Sequence, residues 1–176
     1  MLIIYLIRHG EPDYTAVKTA GYLGFGRELA GLSKRGIRQA QQAAKNPIFD
    51  QIELLISSPY PRALQTALEL SRHQAFPVKV ELGLHEWLPA KNKAVTDDQA
   101  VAAYQAYRHA PNFCQTALDY ETAGELKKRA VKVFQRYAAD YATIACVTHG
   151  ELIRQFTGNE RTEFCQIQKL DTYKLI

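Results

Sequence analysis

The chain has 176 residues, 47% apolar and 23% charged, with a formal net charge of +4. That length suits one domain with a full core, and this composition excludes a disordered chain. The charge is too small and too scattered for a nucleic-acid surface, although a mild positive excess suits an anionic small substrate.

Cys114, Cys146 and Cys165 are odd in number and show no CxxC spacing, which argues against disulfides and a zinc site. Cys146 lies in an apolar run and is expected to be a small core residue. The longest apolar run is far below a membrane span. The N-terminus lacks a basic n-region and a small-residue cleavage site, so a cytoplasmic protein with no membrane or nucleic-acid partner is expected.

Leu2 to Ile7 is a continuous apolar run, the habit of a strand buried on both faces of a parallel sheet. Gly10 and Pro12 end it, leaving Arg8 and His9 at its carboxyl end. In open α/β sheets ligands bind at that edge. Asp13 to Ala30, with Gly21, Gly24 and Gly26, reads as a surface loop near the same edge, either cradling a ligand or simply connecting. Ser33 then caps a helix whose apolar face carries Ile37, Ala40, Gln41 and Ala44, and Asn46-Pro47 ends it. Gly36 has no local explanation, though it permits close packing.

Ile52 to Ile56 is a second apolar strand that stops at Ser57-Ser58-Pro59. The helix after it has Pro61 in its first turn and Ala63, Leu64, Ala67 and Leu68 on one face. Arg62 also lies in that first turn, where the helix dipole disfavours a cation. It makes sense there if dipole and arginine are aimed at one anion. A third strand is expected over Val78 to Leu84, followed by His85, Glu86 and Trp87. His85 reads equally as a hydrogen-bonded loop residue and Trp87 as a core anchor.

Lys91 to Asn112 is an excursion, either a lid or packed decoration. Thr96 to Gln99 has the form of a capping box, and Tyr104 and Tyr107 share one side of the helix that follows. Glu121 to Ala139 is the clearest helix, with Leu126, Ala130, Val133, Phe134 and Tyr137 inward and Lys127, Lys128 and Arg129 on the solvated face. Ile144 to Val147 is a further strand ending in Thr148-His149-Gly150. A helix from Glu151 follows, with Gly158 as its C-cap, and Cys165 to Ile176 alternates weakly, as an edge strand would.

Alternating strands and helices with short connections imply a single α/β domain over residues 1–176, with a mostly parallel sheet. Arg8, His9, Arg62, Glu86 and His149 then share one edge. Two arginines and two histidines form an anion site, since the guanidinium fork matches phosphate oxygens. A histidine can attack phosphorus as a nucleophile, and a nearby Glu can protonate the leaving oxygen. A metal site is disfavoured because the arginines repel a cation and no HExxH spacing occurs. A serine hydrolase would need the GxSxG turn, which is missing. A phospholigand reader without turnover is the remaining alternative.

Four segments resemble the histidine phosphatase superfamily, the phosphoglycerate mutase-like proteins: Leu6 to Glu11, Ser57 to Ala67, Leu84-His85-Glu86 and Val147 to Gly150. Gly31 to Gly36, Gln39-Ala40 and Gly124-Glu125 before Arg129 are smaller matches. The resemblance implies a three-layer α/β/α sandwich; from the residue set itself no cofactor or metal is expected. The resemblance also implies His9 as the phosphorylated nucleophile, Arg8, Arg62 and His149 as the phosphate pocket, and Glu86 as proton donor. Asp119, Glu121 and Glu151 are the fallback acids.

Two departures stand out. Thr15 occupies a position where the family often has asparagine, and Trp87-Leu88-Pro89 replaces a glycine-rich continuation. The short segment from Trp87 to Glu121 favours a phosphatase, acting on a phosphorylated small molecule or a phosphoprotein, over a mutase.

Overall fold

The computed structural model describes residues 2–72, 74, 76–114 and 117–170. A five-stranded sheet organises it, built from β1 (Ile3–Arg8), β4 (Leu54–Ser57), β5 (Val78–Val80), β6 (Thr143–Thr148) and β7 (Ile167–Leu170). The spatial order is β5-β4-β6-β1-β7, all parallel except β7, which runs antiparallel to β1. The antiparallel edge strand was legible in the weak alternation near the C-terminus; residues 171–176 of that expected strand lie outside the described residues.

The inner strands point alternate residues into two apolar layers, which is why their sequences read as unbroken apolar runs. On one face Ile4, Leu6, Ile56, Ile144 and Cys146 pack under α4 (Asp97–His109), α5 (Ala123–Tyr137) and α6 (Gly150–Thr157). On the other, Ile7, Leu55, Ala145 and Val147 meet α3 (Pro61–Ser71), with Ala44 and Phe49 beside it. This is the expected three-layer arrangement. Each fully buried aliphatic side chain contributes about 1.5–3 kcal/mol.

Several local expectations change. The stretch from Asp13 to Ala30 holds a short helix α1 (Thr15–Thr19) and a 3-10 segment, Gly24–Leu29. Its ends are drawn together by a two-residue ladder of β2 (Pro12–Asp13) with β3 (Gly31–Leu32). The strand expected over Val78 to Leu84 stops at Val80, and Leu82–Leu84 form a 3-10 turn. β5 is the sheet's outer strand, and Val80 and Leu82 are exposed, so no face holds them extended. Ile37 and Leu68, expected on inward faces, are also exposed.

α2 (Lys34–Ala43) makes its contact through Gly36 instead. A Cβ there would lie 2.2 Å from the Glu11 carbonyl oxygen, and one at Gly10 would lie 2.6 Å from that of Gly36. These glycines let α2 press directly on the turn after β1. Ser33, the cap of α2, accepts from Gly36 N–H and donates to Glu11 Oε1. The Gln39 side chain accepts from Glu11 N–H.

Candidate active site

Sheet register assembles the site. Arg8 pairs with Thr148 and Ser57 with Val147, so His9, Ser58 and His149 leave three parallel strands side by side. The His9 amide donates to Thr148 O (3.0 Å), and the Ser58 amide to Val147 O (2.9 Å). The first turn of α3 brings Arg62 over them. Thr66 fixes that helix, donating to Arg62 O and accepting from Gly10 N–H.

The two imidazole rings stand 5.1 Å apart and edge-on. His9 Nδ1 lies 2.7 Å from Gly10 O. A carbonyl only accepts, so Nδ1 carries the proton and Nε2 keeps its lone pair. Arg62 Nε donates to that Nε2 at 3.3 Å. His149 holds the opposite tautomer. Arg62 Nη2 lies 3.4 Å from its Nδ1, and a guanidinium only donates, so its Nε2–H is directed at Ser58 Oγ, 2.7 Å away. Both rings are buried and neutral. Burial, then Arg62, lowers His9 to about 3, and burial, then His9 and Arg62, holds His149 well below the ordinary histidine range.

The arginines are only partly satisfied. Among the described residues, neither Arg8 Nε nor Arg62 Nη1 has a hydrogen-bond partner, although both atoms are buried. The Arg8 guanidinium sits over the Phe164 ring, 4.3 Å from its centroid. Arg62 Nη2 makes an ion pair with Glu28 Oε2 at 2.6 Å. Burial works against the charge on Arg62, but Glu28 offsets it and the net shift is upward. Buried guanidinium N–H groups beside two neutral imidazoles have the chemistry to hold an anion.

Glu86 reaches the site from the loop after Leu84 rather than from a strand end, because β5 stops short. Its Oε1 accepts from Trp87 N–H (2.9 Å), and its Oε2 from Glu151 N–H (3.4 Å) at the start of α6. Burial raises its carboxyl to about 7, against the opposing pull of these hydrogen bonds and Arg62. A carboxyl with that affinity is protonated for much of the time at neutral pH and can serve as an acid.

The fallback acids are engaged elsewhere. Asp119 pairs with Lys91 at the surface. Glu151 accepts from Tyr104, Tyr107 and Arg154. Glu121 binds Arg129 through both oxygens (2.6 and 3.0 Å), and Leu88 N–H donates to it as well. Arg129 in turn donates to the carbonyls of Gly83 and Glu86. This pair pins the loop carrying Glu86, so Arg129 does not belong to a solvated face. Its spacing gave a signal, three residues past inward Leu126 and four before inward Val133.

Trp87 is the anchor expected of it: buried, with Nε1–H donating to Glu121 O and its ring packed on Tyr104, Tyr107 and Tyr120. His85 is a hydrogen-bonded loop residue, its Nδ1–H donating to Glu86 O. Thr15 is exposed, its amide donating to Asp13. Glu28 was not anticipated, since a single acid in a glycine-containing loop carries no pattern. No cluster of three or more metal-ligating side chains occurs among the described residues. Nor is any helix among them long and apolar enough to cross a membrane.

Residues 4–164 match the Histidine phosphatase superfamily (branch 1). The chain belongs to that superfamily. The fold agrees with a mycobacterial glucosyl-3-phosphoglycerate phosphatase solved with VO3, at 21% identity and TM-score 0.73 over 96% of this chain and 90% of that one. It also agrees with an Entamoeba histolytica phosphoserine phosphatase solved with phosphoserine, at 20% identity and TM-score 0.67 over 96% and 90%. A Proteus mirabilis protein named as a probable phosphoglycerate mutase, GpmB, is 37% identical over 67 residues, which span 38% of this chain and 29% of that protein.

Proposed function

We propose that this member of the superfamily is a phosphoric monoester hydrolase that works through a phosphohistidine on His9 and needs no metal. The observation that carries the reading is the tautomer pair. His9 presents a lone pair at Nε2 beside two guanidinium groups with unpartnered N–H, and His149 is held neutral against the same Arg62.

In the proposed reaction the phosphate lies against Arg8, Arg62 and His149, and the two guanidinium groups offset charge on its equatorial oxygens. The His9 Nε2 lone pair forms a bond to phosphorus as the ester P–O bond breaks. The leaving oxygen takes the Glu86 proton and departs as the alcohol. Water then attacks the phosphohistidine, giving its proton to the Glu86 carboxylate, and the N–P bond electrons return to Nε2. The products are alcohol and inorganic phosphate.

Labelling with a phosphorylated substrate, quenched within one turnover, tests this. Label on the protein should be stable in alkali and released by acid, should be lost in His9→Ala, and turnover should survive EDTA. Wild-type turnover of aryl phosphates by His9→Ala would sink the reading. The partial likeness to a mutase raises phosphoryl shuttling between two hydroxyls as a second reading. Free phosphate as the sole product excludes it. Tight phosphate binding without hydrolysis across an ester panel would instead indicate a phospholigand reader.

A further inference from the structure

We infer that the leaving group favoured at this site is compact and apolar, best of all a ring, rather than a hydroxy acid; the inference rests on the phosphatase reading above. A slot of about 230 Å³ adjoins the phosphate pocket, walled by Tyr14, Phe25, Tyr60, Trp87, Ala90 and Val95. For scale, a dry apolar cavity of about 150 Å³ takes one benzene, so this slot suits one ring or a fused pair. It reaches the chemistry through Tyr60 and Glu28. The Tyr60 ring stands 5.2 Å from the His149 ring and lies under the Arg62 guanidinium at 5.0 Å. Glu28, which also lines the slot, pairs with that same guanidinium.

The two segments without a decipherable pattern, 13–30 and 91–112, build this slot together. Arg27 pairs with Asp97 across it, and Gly24 packs on Ala94 and Val95, so closely that a Cβ would lie 3.2 Å from Ala94 Cβ. Two basic side chains of the lining already have partners. Arg27 is held by Asp97 and by the Tyr22 carbonyl, and Lys93 Nζ donates to Ala117 O. A substrate carboxylate would find Arg27 already paired and would meet Glu28 at the junction, with Lys93 the remaining cation of the lining. An apolar ring meets aromatic faces instead, among them the exposed Phe25.

Leaving groups of similar reactivity separate binding from chemistry. kcat/KM should be measured for 2-phenylethyl phosphate, ethyl phosphate and phosphoserine. The phenylethyl ester should exceed the ethyl ester by about tenfold or more, with phosphoserine the poorest of the three. Ala100→Trp, on α4 at the slot wall, should cut the phenylethyl-to-ethyl ratio several-fold, and the smaller filler Ala100→Leu should cut it less. A ratio near one, a ratio indifferent to both fillers in folded protein, or a preference for phosphoserine would overturn the inference while leaving the phosphatase reading intact. Hydrolysis of none of the three, nor of any other ester tried, would remove the phosphatase reading and this inference with it.

Discussion

Glu28 Oε2 stands 2.6 Å from Arg62 Nη2, in the pocket where two other guanidinium N–H groups lack partners. A carboxylate thus occupies one arm of the fork that a phosphate would use. Bound phosphate either displaces Glu28 or stays beside it at an electrostatic cost.

The first prediction follows from that geometry. Glu28→Gln should tighten binding of inorganic phosphate or vanadate by about tenfold, equivalent to about 1.4 kcal/mol. Competitive inhibition constants at fixed pH and low salt would measure it. Weaker inhibition in the variant would mean that Glu28 holds Arg62 in place rather than competing for it.

The pH profile should follow Glu86. Its carboxyl, raised to about 7 by burial, is protonated below that value and able to supply the leaving-group proton. Activity is expected to fall as pH rises through about 7. His9, lowered to about 3, stays unprotonated across the working range and sets no limb near neutrality. Glu86→Gln should lower kcat by about 10²–10⁴ and abolish the alkaline limb in plots of kcat/KM. Persistence of that limb in the variant would remove Glu86 from the role.

Much of this site could be read from residue order. His9, Arg8 and His149 follow unbroken apolar strands, and such strands lie inside a parallel sheet with their carboxyl ends aligned. Arg62 was legible as a cation misplaced at a helix start, Trp87 as a core anchor, and Tyr104 and Tyr107 as one side of a helix. What escaped depended on long-range packing. The early end of β5 reflects its place at the sheet edge, and Glu28 faces Arg62 only because the β2–β3 ladder closes the loop. Arg129 reads as a solvated side chain because a charge triplet hides one inward member. Gly36 is explained only by the Glu11 carbonyl pressed against it.

Arg129 supplies the third prediction. Its fork holds Glu121 and the carbonyls of Gly83 and Glu86, and so sets where the Glu86 carboxyl lies. Arg129→Lys keeps the charge but cannot make all four contacts. kcat should fall about tenfold with KM little changed, and the alkaline limb should shift as Glu86 settles in a new setting. Arg129→Met should be worse than the double variant Arg129→Met/Glu121→Gln in thermal stability. The single change strands a buried carboxylate, at a cost of about 3–5 kcal/mol, which the second change relieves. Equal melting temperatures for the two would contradict the pairing.

The last prediction concerns Gly36, which packs on the turn after His9 without a side chain of its own. A methyl group there would overlap the Glu11 carbonyl at 2.2 Å, and backbone on both sides leaves no flexible side chain to yield. Gly36→Ala in an exposed helix would normally stabilise by about 0.5–1 kcal/mol. Here overpacking should reverse the sign and cost about 1–3 kcal/mol. The strain falls on the turn that follows His9, whose Gly10 carbonyl fixes the His9 tautomer. Turnover should therefore drop in protein that is still folded, and the drop should exceed that of Ile37→Ala, an exposed neighbour on the same helix. Calorimetric unfolding with kcat measured well below the melting temperature would separate the two effects. A Gly36→Ala protein as stable and as active as its parent would show that α2 does not hold this turn.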